Sequence, residues 1–280
     1  MPSVRVACQQ IAPTVGDLAG NSRLTREAVA EAVAAGARLV LLPELSTSGY
    51  VFESVDEARA CAEPADGPAL RGWAEEAARG EAVVVGGFCE LGEDGKLYNS
   101  AAVVDSTGVV AVYRKIHLWD REQLFFAAGS EPAPVVATSV GRVGVCVCYD
   151  LNFPEVARGL ALGGADIVAV PTNWPRFPRP EGERPIEVAM AMATAHLSHV
   201  FLAACDRCGP ERGVEWTGGS VVCDEWGWLL AGPVEGYGSG LLLADCDLER
   251  ARDKAWSERN DVFGDRRPEL YGLGEAAPVA

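Results

Sequence analysis

The chain has 280 residues, of which 49% are hydrophobic and 23% charged, a composition typical of a folded globular protein. Its formal net charge of −16 argues against nucleic acid as a partner, and it indicates solubility more than a preference for cationic substrates. No apolar run reaches the length of a membrane span, and the N-terminus lacks a signal-peptide pattern. Nine scattered cysteines favour reduced thiols over a disulfide framework. We therefore expect a cytoplasmic protein with no membrane partner.

Strand-like and helix-like patterns alternate along the chain, with hairpins among them. Strands are predicted where apolar residues run together, and helices where they recur every three to four positions. The predicted strands are 4–10, 38–42, 82–90, 98–104, 109–113, 143–148, 165–170, 200–205, 216–223, 227–230 and 239–246. The predicted helices are 21–35, 56–62, 69–79, the stretch between 152 and 163, 186–198 and 247–257. This mixture favours a single α/β domain over residues 1–280, with mixed sheets.

The segment around Cys148 organises the rest of the prediction. Residues 143–148 form a buried strand pattern, and the helix that follows has Asn152 as its candidate cap and Pro154 in its first turn. Cys148 is therefore expected between a strand end and a helix start, where free N–H groups and the helix dipole lower a thiol pKa and hold an oxyanion. On these residues alone, Cys148 is either a nucleophile or a small buried hydrophobe, the description that suits Cys146 better.

Two further segments offer partners for a cysteine nucleophile, which needs a base and an oxyanion donor. Glu44 follows a predicted buried strand and Pro43, where poor solvation raises the pKa of a carboxylate. Lys115 lies between apolar residues just after a predicted strand, where it can present one fixed positive charge. Taken singly, each residue also fits a position without a catalytic role. Glu44 would then be an exposed loop carboxylate and Lys115 a lysine at the edge of a sheet.

Taken together, the three segments resemble the nitrilase superfamily of carbon–nitrogen hydrolases over nearly the whole chain. The matching motifs, in order, are Pro43-Glu44 with Gly49-Tyr50, Arg114-Lys115 with His117-Leu118, and Cys148-Tyr149-Asp150 with Phe153-Pro154-Glu155. The resemblance implies a Glu44–Lys115–Cys148 triad, a second glutamate that Glu122 fits, and a four-layer αββα sandwich of two mixed sheets. It also implies no metal or organic cofactor, and a homodimer or larger homo-oligomer in which residues 260–280 form a tail on a partner subunit.

One segment departs from the family pattern. Members usually carry Ala-Arg-Ala-x-Glu-Asn on the helix before the strand at Val200, whereas residues 193–198 read Ala-Thr-Ala-His-Leu-Ser. We expect the missing arginine, glutamate and asparagine to alter pocket details and oligomer contacts and to leave the reaction unchanged.

The implied function is hydrolysis of a small-molecule primary amide to a carboxylate and ammonia through a thioester on Cys148. Glu44 would act as base, while Lys115 and the backbone N–H of Tyr149 would stabilise the oxyanion. The residues expected to bind substrate are Tyr149, Asn173, Trp174 and Trp119. The resemblance favours an amide over a nitrile because Tyr149 and Asp150 follow Cys148, where nitrilases of the family typically have tryptophan and glutamate. It favours an amide over an N-carbamoyl amine because Leu151-Asn152-Phe153 stands where carbamoylases often have an arginine-rich segment.

Five other interpretations of the sequence stay open. In a Cys–His hydrolase, His117 would be the base. His196 and His199, three residues apart on a helix, form a possible metal face without a nearby carboxylate, and surface positions explain them more simply. The Cys205-x-x-Cys208 pair lacks a second pair for zinc. A non-catalytic binding protein on the same fold, or acyl transfer to an amine, completes the alternatives, and the joint presence of the three triad residues disfavours the binding protein.

Overall fold

The computed structural model describes residues 3–234 and 238–271. Its strands are β1 Val4–Gln10, β2 Leu39–Leu41, β3 Val83–Leu91, β4 Leu97–Asp105, β5 Gly108–Arg114, β6 Val135–Thr138, β7 Gly141–Val145, β8 Ile167–Thr172, β9 Phe201–Asp206, β10 Val221–Cys223, β11 Leu229–Ala231, β12 Gly240–Cys246, β13 Ala255–Ser257 and β14 Asn260–Asp261. Its α-helices are α1 Leu18–Ala34, α2 Val55–Ala60, α3 Pro68–Ala78, α4 Pro154–Leu162 and α5 Ile186–Ser198.

Twelve of these strands form two six-stranded sheets, in the orders β12-β1-β2-β3-β4-β5 and β11-β10-β9-β8-β7-β6. The inner strands β1, β2 and β3 run parallel to one another, as do β7, β8 and β9. The outer strands pair antiparallel. The predicted pair of mixed sheets is therefore confirmed.

The alternation of side chains along the inner strands places the sheets between two layers of helices. On β1, Val6 and Cys8 belong to the core between the sheets, whereas Ala7 belongs to the core under α1 and α3. Helices α4 and α5 cover the outer face of the second sheet through side chains such as Leu160 and Val188. Because side chains alternate with a period of two residues, each sheet is buried on both faces. The result is the predicted αββα layering.

The link between β7 and α4 differs from the prediction. Strand β7 ends at Val145, residues Cys148–Asn152 form a 3₁₀ turn, and α4 begins at Pro154. The expected cap, Asn152, is therefore wrong, because the N-cap residue is Phe153 and no side chain caps the helix. Phe153 is extended, with φ −103° and ψ 100°, as expected for a residue that precedes proline.

The C-terminal part of the chain also differs from the prediction. The helix predicted over 247–257 is a 3₁₀ turn, Leu248–Arg252, followed by β13, which pairs with β14. The carboxylate of Asp253 accepts a hydrogen bond from the backbone N–H of Ala255, a local bond that competes with helix formation. The predicted strand over 216–223 shrinks to β10, and β6 was not predicted.

Two further predictions concern the C-terminal tail and membrane-spanning helices. Of the predicted tail, residues 272–280 lie outside the described residues, and packing on a partner stays a prediction. In the described ranges, 3–234 and 238–271, no helix is both long and apolar enough to cross a membrane.

Candidate active site

Three segments that are distant in sequence meet where strands end. Glu44 follows β2 and Lys115 directly follows β5. The ammonium of Lys115 lies 2.7 Å from Oε1 of Glu44 and 2.8 Å from Oε1 of Glu122. Lys115 is 0% exposed and Glu44 1%. The alternatives of an exposed loop carboxylate and an edge lysine are therefore wrong, because one buried cation is shared between two buried carboxylates.

Glu44 is held on several sides. Asn99 donates a hydrogen bond of 2.7 Å from Nδ2 to Oε1 of Glu44, and Asn173 donates one of 2.9 Å to its backbone oxygen. Oε2 of Glu44 has no hydrogen-bond partner among the described residues. Burial raises the pKa of Glu44 to about 7, against the opposing charge of Lys115. A carboxylate with this pKa is suited to take and return a proton near neutral pH.

Glu122 orients the lysine from its other side. Burial by itself would lower the pKa of Lys115, but the carboxylates of Glu122 and Glu44 outweigh it and raise that pKa above its ordinary value. Glu122 also accepts a hydrogen bond of 2.5 Å from the hydroxyl of Tyr50 and one of 3.2 Å from the backbone N–H of Trp119. The lysine is therefore a fixed positive charge and holds its proton. The sequence gives no signal for the roles of Tyr50 and Asn99, because both residues are distant along the chain from the groups that they contact.

Cys148 occupies a sharp elbow of the backbone, with φ 46° in the left-handed region. Its side chain is buried, and its sulfur lies 3.8 Å from the backbone oxygen of Asn173. Burial raises the pKa of the thiol well above its ordinary value, and the charge of Glu44 adds to this although Lys115 opposes it. The expected lowering of the thiol pKa is therefore wrong: α4 begins six residues later, and loss of solvation dominates.

Asp150 clamps the elbow and was not assigned a role from the sequence. Its buried carboxylate accepts hydrogen bonds from the backbone N–H of Val147 at 2.9 Å and from the hydroxyl of Tyr113 at 2.8 Å. Nδ1 of His117 lies 2.8 Å from Oδ1 of Asp150, and the imidazole stacks on Phe153 with ring centroids 3.7 Å apart. No described contact joins His117 to Cys148, which disfavours the Cys–His hydrolase.

A cavity of about 130 Å³ opens on Cys148. Three of the residues expected to bind substrate, Tyr149, Trp119 and Trp174, line it. Trp174 is held by a hydrogen bond of 2.9 Å from its backbone N–H to the carboxylate of Asp206. The fourth, Asn173, is not a wall of the cavity, because its amide is used to hold Glu44.

The other candidate groups lie elsewhere. His199 is 3% exposed and bonds to the indole of Trp256 at 3.2 Å, so the surface position expected for it is wrong. The thiol of Cys205 is buried and donates to a backbone oxygen of β2. Across residues 3–234 and 238–271, no group of three or more His, Cys, Asp or Glu side chains could hold a metal ion.

The segment that departs from the family pattern lies on α5, away from Cys148. Ala193, Thr194, Leu197 and Ser198 line a separate groove of about 840 Å³ between α4, α5 and the region of β14. The cavity at Cys148 is lined by earlier residues of α5. The substitutions in this segment therefore touch an outer surface and leave the catalytic residues in place.

The chain is similar in sequence to known carbon–nitrogen hydrolases. Residues 5–255 match the family model for carbon–nitrogen hydrolase. A protein from Pyrococcus abyssi named nitrilase is 36% identical over 271 residues, which cover 96% of this chain and 99% of that protein. The deaminated glutathione amidase of Rattus norvegicus is 35% identical over 268 residues, which cover 90% of this chain and 79% of that protein.

Solved structures of amidases are similar to this chain in fold. The crystal structure of an amidase from Nesterenkonia sp. matches with a TM-score of 0.78 at 29% identity, over 96% of this chain and 95% of that one. In a mutant of the amidase from Nesterenkonia sp. AN1, the acetamide moiety of fluoroacetamide is covalently added at the active-site cysteine; it matches with a TM-score of 0.78 at 28% identity, over 96% and 95% of the two chains. The chain therefore belongs to the carbon–nitrogen hydrolases of the nitrilase superfamily.

Proposed function

We propose that the protein hydrolyses the carbon–nitrogen bond of a small primary amide by covalent catalysis at Cys148. The observation that carries this proposal is the shared lysine. Lys115 is locked between Glu44 and Glu122 at 2.7 and 2.8 Å, while Oε2 of Glu44 has no partner among the described residues. One carboxylate oxygen is thus free to exchange a proton next to a buried thiol and a fixed positive charge.

In the first half of the reaction, Glu44 takes the thiol proton as the sulfur of Cys148 attacks the amide carbon. A carbon–sulfur bond forms, and the electron pair of the carbonyl moves to its oxygen. Lys115 and the backbone N–H of Tyr149 stabilise that oxyanion, whose charge develops only in the transition state. The intermediate then collapses: the carbon–nitrogen bond breaks, Glu44 returns the proton to nitrogen, and ammonia leaves.

In the second half, water attacks the thioester and gives a proton to Glu44. The resulting tetrahedral intermediate breaks its carbon–sulfur bond, and the sulfur recovers the proton from Glu44. The carboxylic acid leaves and gives its remaining proton to solvent, which yields the carboxylate. Two lower barriers replace one high barrier, which is the gain of covalent catalysis. The same carboxylate serves as base and acid in both halves, as a pKa of about 7 permits.

An amide suits this site better than a nitrile. An amide oxygen becomes the anion that two donors, Lys115 and the Tyr149 N–H, can stabilise, whereas a nitrile places an imidate nitrogen at the same position. The similarity to amidases, one of them with the acetamide moiety of fluoroacetamide covalently added at its active-site cysteine, supports the same choice. Nitrile or N-carbamoyl amine hydrolysis is the alternative chemistry, and the relative named nitrilase makes it the one to test.

The test compares kcat/KM for a primary amide, a nitrile and an N-carbamoyl amine of matched carbon chain, with released ammonia as the common signal. The amide is expected to lead by well over an order of magnitude, and the Cys148→Ala variant should release no ammonia from any of them. A faster nitrile or carbamoyl compound overturns the assignment to amides.

A further inference from the structure

The cavity at Cys148 contains an acidic side chain that the reaction does not use. Among the described residues that line it, Glu187 is the one carboxylate, and most of the other walls are aromatic or aliphatic. The rings include Trp119, Tyr149 and Trp174. Glu187 is 9% exposed and lines the cavity.

The start of α5 explains how the carboxylate is kept there. Pro185 is the N-cap residue and Glu187 the second residue of the helix. Its own backbone N–H donates to the carboxylate, and the first turn of a helix stabilises negative charge. Val188, which follows, is fully buried under the helix and fixes the orientation of this turn.

Glu187 is incompletely compensated by the protein. Burial raises its pKa, and its backbone N–H and the charge of Arg179 oppose that rise. Arg179 is exposed on the loop before α5, where solvent screens its charge. Burying a carboxylate costs free energy of desolvation, and in a pocket that binds only alkyl amides no ligand charge would offset this cost. An apolar side chain would fit the same wall without the cost.

We propose that Glu187 makes this cavity selective for primary amides that carry a positively charged amine or guanidine a few bonds from the amide. This proposal rests on the amidase function proposed above. Glu187 would bind the cation, and the aromatic walls would contribute cation–π attraction. The cavity of about 130 Å³ is below the range of roughly 300–1,000 Å³ typical of drug-sized ligands, so the chain between the two groups is short. The net charge of −16 would also attract cations and repel anions.

The test uses three amides of equal length: 4-aminobutanamide, its neutral isostere pentanamide, and the anion succinamate. The wild-type kcat/KM is expected to be at least about tenfold higher for the cation than for the neutral amide, and lowest for the anion. In Glu187→Gln, which keeps the size of the side chain, the ratio of cation to neutral amide should fall to near one. Glu183→Gln, an equal charge change at an exposed position four residues earlier, should keep the wild-type ratio.

Two results overturn the proposal: a wild-type enzyme that prefers the neutral or anionic amide, and an unchanged ratio in Glu187→Gln. If the wild-type enzyme hydrolyses none of the three, the amidase function fails, and binding to Cys148→Ala is measured by calorimetry. Tighter binding of 4-aminobutanamide that is lost in the double variant with Glu187→Gln then upholds selectivity for cations. Equal or undetectable binding of the three compounds contradicts it.

Discussion

Nζ of Lys115 lies 2.7 Å from Oε1 of Glu44, and both side chains are 0% exposed. A buried charge pair of this kind is costly unless each charge is compensated, and here Glu122 completes the compensation at 2.8 Å. Two carboxylates, those of Glu44 and Glu122, share the one ammonium of Lys115. The net charge of the three side chains therefore changes by one when a single proton binds. Burial raises the pKa of Glu44 to about 7, the charge of Glu122 adds to this rise, and the charge of Lys115 opposes it.

The first prediction is a pH dependence. Catalysis by Glu44 requires the carboxylate form, so kcat/KM should fall as the pH drops through about 7, by roughly tenfold per unit below it. The rate falls on acidification because the raised pKa of Glu44 means that this carboxylate is protonated while the pH is still near neutral. The protonated form cannot accept the thiol proton. The measurement is a kcat/KM profile between about pH 5 and pH 9 with far-UV circular dichroism as the control for folding. A rate that stays level down to about pH 5 would show that Glu44 is not the base.

The second prediction separates Lys115 from His117. Lys115→Ala should lower kcat by roughly 10²–10³, the loss that follows removal of one oxyanion donor. His117→Ala should lose far less, because the imidazole bonds to Asp150 and not to Cys148. Steady-state kinetics and thermal unfolding of both variants are the measurements, since Lys115→Ala also leaves two carboxylates without their cation. A greater loss in His117→Ala, with the fold intact, would favour the Cys–His hydrolase.

The third prediction concerns the close approach that positions Glu44. A Cβ atom added at Gly87 would lie 2.4 Å from the backbone nitrogen of Leu45 and 2.5 Å from Cα of Glu44. Gly87→Ala should therefore lower the free energy of unfolding by about 1–3 kcal/mol and reduce kcat, because the segment that carries the base has to shift. Denaturant unfolding and kinetics measure both effects.

Gly159→Ala is the matched control for this prediction. Gly159 lies in α4 with nothing within 4 Å of an added Cβ. Alanine there should raise the free energy of unfolding by roughly 0.5–1 kcal/mol and leave kcat unchanged. Full stability and activity in Gly87→Ala would contradict the role given to this contact.

The sequence was sufficient for the inner strands and, through the family resemblance, for the αββα layers and for Glu44, Lys115 and Cys148. Periodicity located every inner strand, because β1–β3 and β7–β9 are buried on both faces and read as apolar runs. Glu44, Lys115 and Cys148 could be grouped only through their resemblance to a family. No local pattern shows that strand ends distant in the chain come together.

Sequence patterns did not predict the features of the structure that local backbone geometry or tertiary contacts determine. Periodicity does not reveal the 3₁₀ elbow at Cys148, which depends on the clamp by Asp150 and on the start of α4 at Pro154. It likewise missed Tyr50, whose hydroxyl reaches Glu122 across 72 residues of sequence. The helix expected over 247–257 does not form, and the carboxylate of Asp253 accepts a local hydrogen bond from the backbone N–H of Ala255 that competes with a helical one.

The most direct test of the whole account is mass spectrometry of the enzyme trapped with a slow amide substrate. An acyl adduct is expected on Cys148, whose thiol interacts electrostatically with both Glu44 and Lys115. Cys148→Ala should fold and show no adduct, whereas Cys146→Ala should keep both the adduct and measurable activity. An adduct on another cysteine, or full activity in Cys148→Ala, would contradict the account.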